Sequence, residues 1–434
     1  MLFKDATLVD FDPPAVARGD LRVAGGRITE RGAALAAAEG EAAVDLGGDL
    51  LMPGLVNAHS HLYSALARGL PAPPVADFQQ ALDHIWWPLD QSLTLGDVGL
   101  SAAVGLAEAA RCGTTTLIDH HASPSAVTGS LAAIAEAFGA VGLRGVLCYE
   151  ATDRNGESER LEGIAENAAA VKAWPAGGEG RLRALIGLHA NFTLSDAALG
   201  QLAALPGPVH VHIAEGPQDG TDAAERGLSG PLERLERARL LRPDSLLVHG
   251  VGLSDQEVER AREAGCWLVH NPTSNRNNRV GYARPGRFGD RVALGTDGIG
   301  SDMLGAFKEA FYAAREHRHE PDLLALLTGG HKVASALLGV PLGRLAPGYG
   351  ADLVRLDYRP PTPLSADTLI GHLLFGAHAG HIRDVWVEGR AVLLGRRVMG
   401  IDEGRLARDA AAAATDIWGR YSERLERPGV DSPD

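Results

Sequence analysis

Two histidines one residue apart, His59 and His61, sit at the end of the apolar run LLMPGLVNAHSH. Side chains alternate across a strand, so both imidazoles point the same way, and two neutral imidazoles on one face make half of a divalent metal site. A lone His-x-His pair is weak evidence. Other runs finish in the same manner: GPVHVHIAE supplies His212 and Glu215, SLLVHG closes on His249, and VALGTDG ends at Asp297. Each of these residues can ligate a metal or move a proton.

Eight short apolar runs alternate with stretches rich in Ala, Leu and Glu: LLMPGLVNAHSH, TTTLIDHH, LRGVLCYE, LRALIGLHAN, GPVHVHIAE, SLLVHG, GCWLVHNP and VALGTDG. Eight strand and helix units predict an α/β fold, a (β/α)8 TIM-type barrel. Most of the runs end on a polar residue, where a parallel barrel collects its catalytic groups. Before position 50 the alternation is that of short strands and turns, as in ATLVDF and DLRVAGGRITERG, and it returns in GADLVRLDY and DVWVEGRAVLLGRRV. Both chain ends are therefore expected in one small β-sandwich. The expected division is 1–50 and 346–400 for its two halves, 51–345 for the barrel, and 401–434 for a terminal helix and a frayed polar tail, ERPGVDSPD, to which no chemistry is assigned.

Composition narrows the partners. A chain of 434 residues that is 45% hydrophobic can bury a large core, and a net charge of −14 repels phosphate backbones and anionic lipid surfaces. Neither nucleic acid nor a membrane is an expected partner; homo-oligomer formation is open. The three cysteines, Cys112, Cys148 and Cys266, are too few and too scattered for a disulfide framework or a Cys-based zinc knuckle. With no apolar leader in MLFKDATLVDFDPP, a cytoplasmic protein is expected.

Taken together, NAHSH, HIAE, the strand-end HG and LGTDG resemble the amidohydrolase superfamily, in the branch of cytosine, guanine and S-adenosylhomocysteine deaminases and triazine hydrolases. NAHSHLYSALARG, IWWPLD, DHHASP and HNPTSN look most like the aminohydrolases associated with selenium metabolism, the SsnA type. The resemblance implies that His59, His61, His212 and Asp297 hold one divalent ion, zinc or alternatively iron. It implies that Glu215 donates a proton to a ring nitrogen, that Asp297 takes one from the nucleophile, and that His249 acts electrostatically. It also places His189, Ser64 and Arg68 against the substrate, with Ser64 standing where many relatives have Gln. His120 and His121 fall outside the expected site, on the pocket lining or the surface. His270, Asn271, Ser274 and Asn275 are expected to support it from behind. No lysine ends a strand to bridge two metals, and Glu150 is the one residue placed to raise the question of a second ion. The activity implied is hydrolytic deamination of a nitrogen heterocycle such as a purine or pteridine. The alternatives are ring opening of an oxidised purine, and a non-catalytic binding protein on the same fold.

Overall fold

The barrel strands are Leu55–Ser60, Thr114–His121, Arg144–Tyr149, Ile186–Ala190, Val209–Ile213, Leu246–His249, Trp267–His270 and Val292–Leu294. All are buried on both faces, which is why they read as continuous apolar runs. The computed structural model describes residues 1–175 and 180–426. Adjacent strands pair in parallel in two groups, and the piece Leu182–Ala184 leads into the fourth strand. Parallel bridges Ser60 to Asp297 and Ala151 to Leu188 close the ring at its two seams. Val56, Ala58, Ile118, Val146, Cys148, Val248 and Val269 fill one core, while Leu117, Leu147, Val211, Leu247 and Leu268 belong to another. The alternation of side chains along each strand produces that division.

The first run is two strands, not one. Leu50–Pro53 pairs antiparallel with Leu353–Leu356 in the terminal sheet, and the barrel strand begins at Leu55. Gly54 makes the crossing: its N–H donates to the Asp352 carbonyl at 2.8 Å. A Cβ at Gly54 would lie 2.2 Å from Thr115 Oγ1, so no larger residue fits there.

The strands of both chain ends form one nine-stranded sheet, in which Leu2–Phe11 and Leu50–Pro53 link the N-terminal strands to Leu353–Leu356 and Ile382–Val387. It has its own core of Phe3, Leu8, Leu21, Ile28, Leu51, Leu353 and Trp386, so the two ends do meet in one β unit. A buried ion pair ties this unit to the barrel: Arg144 Nε donates to Asp352 Oδ2 at 2.7 Å and Nη2 to Oδ1 at 3.2 Å.

The terminal helix, Glu403–Glu426, lies on the segment that follows the first barrel strand. Trp418 Nε1 donates to the Leu66 carbonyl at 3.0 Å, the Tyr421 hydroxyl to the His84 carbonyl at 2.6 Å, and Arg420 pairs with Asp97 at 2.6 Å. The tail expected to fray lies beyond Glu426, outside the described residues. Among the described residues no single helix is long and apolar enough to cross a membrane.

Removing one partner of a buried ion pair strands the other charge, at a cost of about 3–5 kcal/mol. Arg144 Nη1 also lies 3.1 Å from Glu388, so Asp352→Ala should lower the free energy of unfolding measured in urea by up to that amount, whereas an unchanged stability would show that Glu388 alone compensates Arg144.

Candidate metal centre and active site

The C-terminal ends of strands one, five and eight bring four predicted residues, His59, His61, His212 and Asp297, to one point. His59 Nδ1 lies 2.8 Å from His210 Nε2, which turns its own Nε2 inward. His61 does likewise, its Nδ1 donating to the His120 carbonyl at 2.6 Å. His212 Nε2 is 3.2 Å from His59 Nε2, and Asp297 Oδ1 is 2.9 Å from His61 Nε2 and 3.5 Å from His59 Nε2. Two nitrogens each about 2.0–2.1 Å from one tetrahedral ion would stand roughly 3.3 Å apart, so this spacing fits a shared divalent cation.

Three left-handed residues shape the mouth: Ala214 at φ 49°, His249 at φ 72° and Asp297 at φ 57°. Such conformations are uncommon outside glycine and concentrate at functional sites. At Ala214 the turn lets Glu215 face the same cavity as His212, although the strand itself ends at Ile213. At Asp297 the carboxylate is fixed by its neighbours: Oδ1 accepts the Gly298 N–H at 2.9 Å and Oδ2 the Ser274 hydroxyl.

Electrostatics suits a cation. Burial pushes His59 down to about 3 and holds His212, His120, His210 and His189 well below the usual histidine range, so their lone pairs are available. Burial opposes charge on His61 as well, but contacts with Asp297 and Glu150 overcome it and hold its pKa well above the ordinary value. Burial, partly offset by His249, pushes Glu215 up to about 7. His249 Nε2 is 3.3 Å from Glu215 Oε2 and 3.8 Å from Asp297 Oδ2, and its Nδ1 meets Asn275 Oδ1 at 2.8 Å.

His61, His212, Glu215 and Asp297 open into a cavity also lined by His189, Glu150 and an aromatic wall of Phe78, Trp86, Trp87 and Phe192. His189 Nδ1 bonds Thr193 Oγ1 at 2.9 Å, and its Nε2 is 3.6 Å from Glu150.

Two residues expected against the substrate are elsewhere. Ser64 lies on the 3-10 helix Leu62–Ala67, where its hydroxyl is shared between the carbonyls of His61 at 2.8 Å and Gly298 at 2.9 Å. Arg68 follows that helix with a side chain 64% exposed and pairs with Glu108. Both line an adjoining hollow that shares His61, Trp86, Gly298 and Ile299 with the cavity, and neither lines the cavity itself. His120, expected at the lining or surface, is fully buried and stacks on His210 with ring centroids 4.3 Å apart. His121 is also buried and bonds Ser123, and His270 is buried against Tyr282.

The sequence reading missed His210, although the period of two that pairs His59 with His61 also puts His210 on the face of His212. It missed Asn278, whose amide donates to Glu215 Oε1 at 3.2 Å, and Asp119, which accepts the Leu62 N–H at 2.7 Å and fixes the turn after His61.

Comparison with known proteins points to one family. The chain is 29% identical to 5′-deoxyadenosine deaminase of Methanosarcina mazei, an alignment covering 97% of this chain and 99% of the relative. It is 30% identical to 5-methylthioadenosine/S-adenosylhomocysteine deaminase of Desulfitobacterium hafniense, over 86% of this chain and 88% of the relative. The structure of a zinc-bound adenosine deaminase from Xanthomonas campestris superposes with a TM-score of 0.83 at 25% identity, covering 96% of this chain and 98% of the other. The model of the amidohydrolase family matches residues 50–392, from the last strand before the barrel to the closing strands of the terminal sheet, and the chain belongs to that family.

Proposed function

We propose that this chain is a zinc-dependent aminohydrolase that replaces the amino group of a purine-type heterocycle with oxygen and releases ammonia. The observation that carries this reading is the placement of Glu215, His249 and Asp297 around one point beside three inward-facing imidazole nitrogens. The names of the relatives, which deaminate adenosine derivatives, and the zinc in the Xanthomonas campestris structure support it.

His59, His61, His212 and Asp297 would hold the ion. When bound, zinc acidifies a coordinated water, making hydroxide available near neutral pH. Asp297 is the base on the side of the nucleophile, and the Ser274 and Gly298 bonds keep its carboxylate oriented. Glu215, carrying its proton at about pH 7, donates to the ring nitrogen as the adjacent carbon becomes tetrahedral. His249 spends its Nδ1–H on Asn275, which leaves Nε2 facing the two carboxylates, placed to hold or pass a proton between them. Water is consumed, the carbon–nitrogen bond to the amino group breaks, and the departing nitrogen leaves as ammonia with the protons these groups have moved.

His59→Ala and Asp297→Ala should lose the metal or nearly all turnover while keeping the fold, because barrel stability lies in the interior layers. Metal content and circular dichroism read this, and full turnover by either variant would refute the site. His210→Phe removes the partner of His59 Nδ1 and should weaken metal binding roughly 10–100-fold in a chelator competition. Glu215→Gln should keep the metal and lose roughly 10²-fold or more in kcat. In the native enzyme the proton on Glu215 is present below about pH 7 and lost above it. kcat/KM should therefore fall as pH rises through that value, and the limb should vanish in Glu215→Gln.

A further inference from the structure

A substrate whose reacting carbon lies at the proposed metal cluster must place its substituents against the remaining walls of the cavity. Those walls are aromatic and apolar at Phe78, Leu82, Trp86, Trp87 and Phe192. Five carboxylates, Asp90, Glu150, Glu215, Asp219 and Asp297, also line the cavity, and among the described residues no lysine or arginine does. Arg154 is near but does not line the cavity: its Nη2 pairs with the buried Asp90, its guanidinium lies 5.2 Å from the centre of the Trp87 ring, and its Nε and Nη1 are buried without a hydrogen-bond partner. Asp219 is held in place by the Phe192 N–H at 3.0 Å, so it cannot swing out of the wall without breaking that bond.

We propose that the cavity selects by charge: it admits an uncharged planar heterocycle, alone or on a neutral sugar, and rejects the same ring bearing a carboxylate or phosphate. An anionic substituent would give up its water to meet aromatic and apolar faces and buried carboxyl groups, with no lysine or arginine lining the cavity to compensate it. Rejection by an unpaired buried charge is the repulsive half of specificity, and it needs no contact dedicated to the accepted substrate. The inference rests on the reading of the site as an aminohydrolase with the ion at one end of the cavity.

The test uses the full, zinc-loaded protein and two matched pairs, adenosine with adenosine 5′-monophosphate and pterin with pterin-6-carboxylate. Binding is measured by calorimetric titration and turnover by ammonia release. Within a pair the neutral member should bind at least roughly 10²-fold more tightly, the scale of an uncompensated buried charge. Equal or tighter binding of the anionic member overturns charge selection. A neutral preference without any ammonia release keeps charge selection and instead overturns the deamination reading. Leu82→Arg, which puts a guanidinium on the wall, should narrow the ratio between members of a pair. A folded Leu82→Arg protein with an unchanged ratio would show that the wall does not set the selection.

Discussion

The 2.8 Å contact between His59 Nδ1 and His210 Nε2 is the constraint from which the rest of the centre follows. An imidazole has two nitrogens, and only when one is tied down does the other have a fixed direction. With Nδ1 held, His59 Nε2 points at His212 and Asp297. The His120 carbonyl does the same for His61, and Asn275 for His249. Each tether comes from a strand or helix other than that of the residue it orients, so the site is held by the closed barrel and not by any one loop.

That closed arrangement sets the electrostatics. In a dry mouth burial keeps His59, His210 and His212 neutral, and a carboxyl such as Glu215 keeps its proton until about pH 7. Asp297 goes the other way, because contacts with His59 and His61 outweigh the burial that would raise it. Two carboxylates in one mouth are thus pushed to opposite protonation states, the pattern that assigns one to donate a proton and the other to accept one. The left-handed backbone at Ala214 and Asp297 is part of the same economy, since it aims both carboxylates inward just past the strand ends.

The strands and their polar ends were legible because a parallel barrel buries both faces of every strand and leaves only the last residues free for chemistry. His59, His61, His212, Glu215, His249 and Asp297 all obey that rule and all converge. Residues beyond the strand ends do not obey it. Ser64 and Arg68 follow His61 closely in sequence, but the 3-10 helix Leu62–Ala67 turns their side chains toward another hollow, and nothing in HSHLYSALARG signals that turn. The join at Gly54 was hidden for the opposite reason. Leu50–Pro53 and Leu55–Ser60 are both apolar and fully buried, so the passage from one sheet to the other leaves no change of pattern. His210 was within reach of the reasoning that found His61, and its omission shows that a second histidine on a ligand's face belongs in the orienting shell as readily as in the ligand set.

The aromatic wall depends on the far end of the chain. Phe78, Leu82, Trp86, Trp87 and Asp90 lie on a helical stretch in the connection between the first and second barrel strands, with a π-helical turn at Leu82–Trp86. Such a turn lacks the regular i to i−4 ladder and relies on outside contacts to hold its shape. The Tyr421 hydroxyl supplies one at the His84 carbonyl, inside that turn, and Arg420 and Arg424 bond the carbonyls of Ser92 and Gln91 just after it. A terminal helix with no chemical group in the cavity therefore fixes the wall that faces the substrate. The ligands thus sit on the barrel strands while the wall that faces the substrate is held from the terminal helix, and the two meet where Trp86 packs beside Gly298, whose N–H orients Asp297.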